Sequence, residues 1–171
     1  MKKILLVFVV FLLGVILFMP KVNLYYTLEN FLKKEHIVIK EGSLKDRWVD
    51  LSIKDAVVFY DGIASVEASS ITVLPWLLYH KVTMQDVHPT PDIARMFDAN
   101  AQRVTMTHSV LDYKHIMIEA EGDFGLLHGT LDVMEQKIHL VLEVSELFKN
   151  NALVKQYFKK QEEGLVYESK L

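Results

Sequence analysis

The chain has no cysteine, only four prolines and seven glycines, and no excess of positive charge. Its 19 lysines and arginines face 22 aspartates and glutamates, for a net charge of −3. Each shortage excludes a class of protein. Without thiolates there is no disulfide-stapled mini-protein and no zinc site built on sulfur. Without a basic excess, and with a pI near 6.2, nothing answers the phosphate backbone, so no nucleic-acid partner is expected. No low-complexity run or Pro/Gly linker divides the 171 residues, a length that fits one domain. Disorder is excluded by what is present: 51% hydrophobic residues against 24% charged.

The hydrophobicity is uneven. Ile4 to Met19 (ILLVFVVFLLGVILFM) carries no charged or polar side chain, with Lys2 and Lys3 before it and Pro20 and Lys21 after it. At ~1.5 Å per residue this run is shorter than a ~30 Å hydrocarbon core. The span lengthens if the helix continues through Val22, Leu24, Tyr25 and Tyr26, or the bilayer thins locally. A cleaved secretory signal shares the lysines and the apolar run, but it needs small residues at a processing site. The following MPKVNLYYTLEN offers no such pair. A core helix would show an amphipathic stripe, whereas every face of this one is apolar. The expectation is an uncleaved signal-anchor: a single-pass transmembrane helix with the N-terminus cytoplasmic, by the lysine bias, and the rest exported.

After the run, Asn23 to Glu35 reads as a helix with Leu24, Leu28, Phe31 and Leu32 on one face. Strands then dominate. His36–Lys40 and Asp50–Tyr60 alternate, and Asp61-Gly62 marks a type I′ hairpin turn, whose central residues need positive φ. Ile63–Val73 returns with an apolar phase that slips between Val66 and Ile71, as a bulge would cause. Leu74–Tyr79 is an apolar connection and His80–Val87 a strand, and the prolines of His88–Asn100 break the sheet with one helical turn from Asp92. Tyr113–Glu121, Phe124–Met134 and Lys137–Val144 alternate cleanly. Ser145 is placed as the cap of a helix over Phe148–Lys160 that carries Val154, Tyr157 and Phe158 and is ended by Gly164, and Leu165–Glu168 is placed as a last strand. The fold class is therefore mainly β (α+β): an N-terminal transmembrane helix, then a curved antiparallel sheet with flanking helices. The expected parts are a tail and anchor (1–22), a membrane-proximal helix (23–35) and a periplasmic β domain with a C-terminal helix (36–171).

No constellation specifies a reaction, so no catalytic residue, cofactor or metal is assigned. The seven histidines (His36, His80, His88, His108, His115, His128 and His139) form no H-E-x-x-H or H-x-H element. Asp86-x-His88 would set a carboxylate and an imidazole on one strand face, and Glu119/Glu121 would pair two carboxylates, but surface strands carry both patterns commonly. There is no G-x-S-x-G elbow. Gly122, Gly125 and Gly129 lie within strands, where they permit curvature or close backbone approach. Trp48 and Trp76 are read as packing or membrane-interface residues. The apolar stripes Ile116, Ile118, Leu127, Leu131, Leu140 and Leu142 form one face, either a closed core or an open groove; alternation does not choose between them.

Three segments carry a resemblance. Glu41 to Leu51 (EGSLKDRWVDL), the hairpin VVFYDGIASVEASSITV and the pair GDFGLLHGTLDVMEQKIHLVLEV, with its G-x-x-x-G-x-L element at Gly125 to Leu131, resemble the type II secretion protein N family and the related AsmA-type periplasmic proteins. The resemblance implies a non-enzymatic protein of the bacterial inner membrane with a periplasmic β domain, an accessory or scaffold of a secretion or pilus-like machine. The alternative is a lipid-binding or lipid-transfer groove of AsmA-like type. The partners expected are the lipid bilayer, envelope proteins and a phospholipid.

Overall fold

A computed structural model describes residues 2–76, 78–95, 98–161 and 164–170. Two helices lead, α1 (Lys2–Phe18) and α2 (Lys21–Lys34). Five strands follow: β1 (Ile37–Lys40), β2 (Ser43–Asp46), β3 (Leu51–Tyr60), β4 (Ile63–Pro75) and β5 (Tyr79–Pro89). After the short α3 (Pro91–Ala94) come β6 (Ala101–Ser109), β7 (Asp112–Gly122), β8 (Gly125–Asp132) and β9 (Lys137–Val144). The chain ends with α4 (Ala152–Tyr157), β10 (Lys159–Gln161) and β11 (Gly164–Lys170). All eleven strands join one antiparallel sheet in the order β1-β3-β4-β5-β6-β7-β8-β9-β11-β10, with β2 also on β3. From β3 to β9 each strand pairs with the next, through short links except between β5 and β6, where α3 lies in the connection. The sheet is open, and its edges are the short β1 and β2 on one side and the three-residue, lysine-bearing β10 on the other, which limits edge-to-edge pairing.

The transmembrane part of the expected fold is corrected. Among the described residues no helix is long and apolar enough to cross a membrane. Helix α1 has 17 residues, beginning with two lysines, and rises only about 26 Å. The extension through Val22 to Tyr26 is not available, because the chain leaves the helix at Met19–Pro20 and starts a new one at Lys21. That second helix is committed to the sheet. Lys21 is 3% exposed and its Nζ lies 3.2 Å from Asp46 Oδ1. Tyr25 is buried against Leu51, Ile53, Ala56, Ala68 and Ile71, with Val22 packed alongside. The Tyr25 hydroxyl donates to Glu41 Oε2, and burial, then the Glu41 and Glu29 carboxylates, push the phenol well above its usual range, so it remains a donor. A single-pass inner-membrane location, and the membrane and secretion assignments attached to it, therefore lose their structural basis.

The docked face of α2 also differs from the expected one. Val22, Tyr25 and Leu32 turn inward, while Leu24, Leu28 and Phe31 stay exposed. Packing against a buried tyrosine and a paired lysine, rather than the widest aliphatic stripe, sets the orientation.

The hairpin at Asp61-Gly62 is present, with φ of 49° and 79°. β4 runs on to Pro75, beyond the expected Val73, and the intended connection Leu74–Tyr79 includes Leu77, which lies outside the described residues. Likewise Met96 and Phe97 of the sheet break lie outside them. Three strands escaped the sequence reading. β2 has only four residues, in β6 the outward row is threonine and arginine rather than a clear charge pattern, and β10 falls at the end of the expected helix.

At the C-terminus the helix is shorter than Phe148–Lys160. Ser145 does not cap it: the hydroxyl donates to the Asp123 carbonyl, and a turn follows in which Phe148 N–H donates to Ser145 O. Instead, Asn151 Oδ1 accepts from the Val154 N–H at the start of α4. The residues after Phe158 form a strand because β11 offers an edge, pairing Lys159–Gln161 with Gly164–Val166.

Candidate functional site

Register turns the alternating strands into transverse rows. One row crosses the sheet as Ile53, Ile71, Met84, Val104, Ala120, Leu127, Leu142 and Leu165, each paired with the next. Beside it runs Leu51, Val73, Val82, Met106, Ile118, Gly129, Leu140 and Tyr167. On the other side lies a row of small residues: Ala56, Ala68, Val87, Ala101, Gly122 and Gly125. All three rows share one apolar face.

In β3 to β6 the first and third rows are three residues apart, as from Ile53 to Ala56 and from Met84 to Val87. A pleat of period two places such residues on opposite faces. One residue per strand must therefore be absorbed. Asp55 and Asp86 do so by taking left-handed φ values of 51° and 49°, a conformation that aspartate tolerates better than most residues. Between them, Ser69 donates to Asp86 Oδ2 at 2.9 Å. In β6 the extra residue appears as a register shift between Ala101 and Arg103. The slip expected between Val66 and Ile71 is this crease, at Ser69, and not a register-shifting bulge; the shift in β3/β4 lies further along, at Val58/Phe59. Replacing Asp86 with valine is expected to cost about 2 kcal/mol in urea unfolding, whereas Asp86→Gly costs less than 1 kcal/mol, because only the former forces a β-branched residue into left-handed φ.

The apolar face is covered at two places. Helix α2 covers it over β3 to β5. Over β8, β9 and β11 it is covered by Phe148, Val154 and Phe158, around a core of Ala99, Leu142, Phe148 and Val154. Between these covers lies a cavity of about 610 Å³. Its floor is Val66, Val87, Ala101, Val104, Ile118, Ala120, Leu127, Leu140 and Leu142, and its walls include Ile93, Phe124, Phe148, Val154 and Phe158. Among the described lining residues only His88, Tyr157 and Tyr167 are polar, and the His88 ring is turned to Glu67, on the other face from its neighbour Val87. Seven strands at ~4.8 Å spacing would spread a flat floor over about 29 Å, and the cavity touches all seven, β4 through β9 and β11. Tyr157, 54% exposed, stands at its open side.

Of the six residues expected on this face, Ile118, Leu127, Leu140 and Leu142 line the cavity. Ile116 and Leu131 do not. They pair with each other one row further from α4, in line with His80, His108 and Ile138. The residues that sequence reasoning missed come from outside the strands, chiefly Ile93, Ala99, Phe124 and Phe148. Phe148 begins the expected helix, but nothing in the sequence directs it across the sheet.

The other candidates separate. The Asp86 carboxylate and the His88 ring do not meet: the carboxylate engages Ser69, while His88 Nε2 faces Glu67 Oε2 at 3.3 Å and Nδ1 the Asp86 backbone carbonyl at 3.1 Å. Glu119 and Glu121 line a shallow depression of about 290 Å³ on the opposite face, with Arg103, His128 and Glu143. His36, His115 and His139 pair with exposed carboxylates, and His80 stacks on His108. Among the described residues no group of three or more histidines and carboxylates is placed to hold a metal. Trp48 is 80% exposed and Trp76 43%, so Trp48 is not a packing residue.

Comparison with known proteins adds no family: no family model, curated protein or solved structure matches the chain.

Proposed function

We propose that the chain is a non-catalytic binding protein for an amphiphile with a single hydrocarbon chain, held in the cavity between the sheet and α4. The carrying observation is the composition of that cavity: about 610 Å³ with three polar side chains among its lining. Protein interiors leave few voids larger than a water. An apolar hollow of this size, open at one side, leaves its lining in contact with water unless something covers it. Water is a poor occupant, since it needs two or more polar partners. A hydrocarbon chain needs none and gains ~25 cal/mol for each Å² of apolar surface it covers. With a methylene occupying slightly less than the ~30 Å³ share of a water, the volume would be filled by roughly 20–22 carbons, so a chain of about 16–20 fits with space to spare. The polar end is left at the open side, near Tyr157.

Mass spectrometry of protein purified under mild conditions is expected to show an adduct of one long-chain lipid or fatty acid. A fluorescent fatty acid should displace it with micromolar or better affinity, at 1:1 stoichiometry. Protein that is free of adduct and does not bind the fluorescent chain would overturn the reading. A recurring protein partner in that same preparation would favour the scaffold role in an envelope assembly instead.

A further inference from the structure

Helix α2 docks with one face and leaves a second apolar stripe bare. Leu24, Leu28 and Phe31, spaced i, i+4 and i+7, are 47%, 50% and 58% exposed. In α1 the exposed apolar residues occupy every side. Ile4, Val7, Phe8, Val10, Phe11 and Phe18 are each more than half exposed, although successive residues turn ~100° about the axis. We propose that α1 and the outer stripe of α2 dock on a lipid surface, entering one leaflet of a bilayer without crossing it.

The occupant follows from the shape of the apolar surface. A protein partner covers one side of a helix and leaves a polar back in water; α1 has no polar back. Only a medium that is apolar in every direction matches it. The depth follows from length, since a helix of about 26 Å falls short of a ~30 Å core. Charge is complementary as well: Lys2 and Lys3 open α1 and Lys34 closes α2, Lys33 being paired with Glu29 at 2.9 Å, so cationic groups flank the apolar stretch as anionic headgroups favour. The cluster that docks α2 also adjoins the cavity. Val87 packs against the cluster that holds Tyr25 and lines the cavity too. The proposal does not depend on what fills the cavity.

Sedimentation with sealed vesicles tests it on the full chain. Binding is expected to phosphatidylcholine vesicles, and about fivefold tighter when roughly one quarter of the lipid is phosphatidylglycerol. Val10→Glu in α1 should weaken binding about 100-fold. The double variant Leu28→Glu/Phe31→Glu should weaken it at least 10-fold while leaving fatty-acid binding unchanged, which shows that the fold persists and separates this proposal from the cavity reading. A tag placed before Met1 should remain open to protease added outside the vesicles. Three results would each overturn the proposal: no sedimentation with either vesicle, unchanged binding by the charged variants, or a protected tag. A discrete dimer that forms without lipid and ignores vesicles would assign the bare helices to a second copy.

Discussion

Ala120→Trp is expected to abolish chain binding while leaving the protein folded. Ala120 is 8% exposed, sits between Val104 and Leu127 in the central row, and lines the cavity floor. A bulky side chain there projects into space that the hydrocarbon would occupy. Affinity for a fluorescent fatty acid should fall about 100-fold, since the loss is steric and most of the buried chain is displaced. Stability should move the other way, because filling a void removes its cost. The melting temperature of the ligand-free variant is expected to equal or exceed that of the parent, and the rise on adding ligand, about 2.7 kcal/mol at 100 times Kd, should vanish. If tryptophan disturbs the sheet, Ala101→Leu in the neighbouring row offers a milder block. Undiminished binding by a folded Ala120→Trp chain would remove the cavity from consideration.

Gly129→Ala should produce a large loss of stability from a single methyl group. A Cβ on Gly129 would lie 2.0 Å from the His139 carbonyl oxygen and 2.8 Å from Leu140 Cα. Both are backbone atoms of the adjoining strand, so no rotamer change relieves the contact. β8 and β9 must part locally, giving up ladder hydrogen bonds at the centre of the sheet, and about 3–4 kcal/mol is expected by urea unfolding. Gly62→Ala is the contrast: its φ of 79° is strained for alanine, but nothing stands within 4 Å of the added methyl, so about 1 kcal/mol is expected. Equal effects at the two positions would show that the strands at Gly129 are not held as closely as described.

The glycines illustrate how far the sequence could be followed. Asp61-Gly62 announces its turn because the φ requirement is local. Gly122, Gly125 and Gly129 were read as sites of curvature or close approach, and the contacts at Gly129 agree. Which backbone approaches could not be named, since it belongs to residues ten or more positions away. The same division holds for the cavity. Ile118, Leu127, Leu140 and Leu142 were found because period-two alternation puts them on one face. Ile116 and Leu131 satisfy the same pattern and miss the cavity, since alternation chooses a face and does not say how far along the strand the cover extends. Ile93, Ala99 and Phe148 were invisible to any pattern, because they reach the site from the short α3, a loop and a turn.

The N-terminal region shows the opposite failure. An apolar run of this strength suggested a span that borrowed Val22 and Tyr25, but both are used in packing α2 against the sheet. Hydropathy sums what a residue prefers and cannot see that a protein surface has already claimed it.

By itself, then, the sequence determined the antiparallel β class, the main hairpins, the concentration of apolar residues at the front and the face that would avoid water. These depend on neighbours in the chain, whose spacing and dihedral preferences are set locally. The tertiary structure alone decided that this face encloses a cavity instead of a filled core, that a crease through Asp55, Ser69 and Asp86 keeps three rows on one side, and that α2 turns its aliphatic stripe outward. Each of those is a competition among surfaces far apart in sequence for the same buried area, and only the folded chain reveals which contact wins.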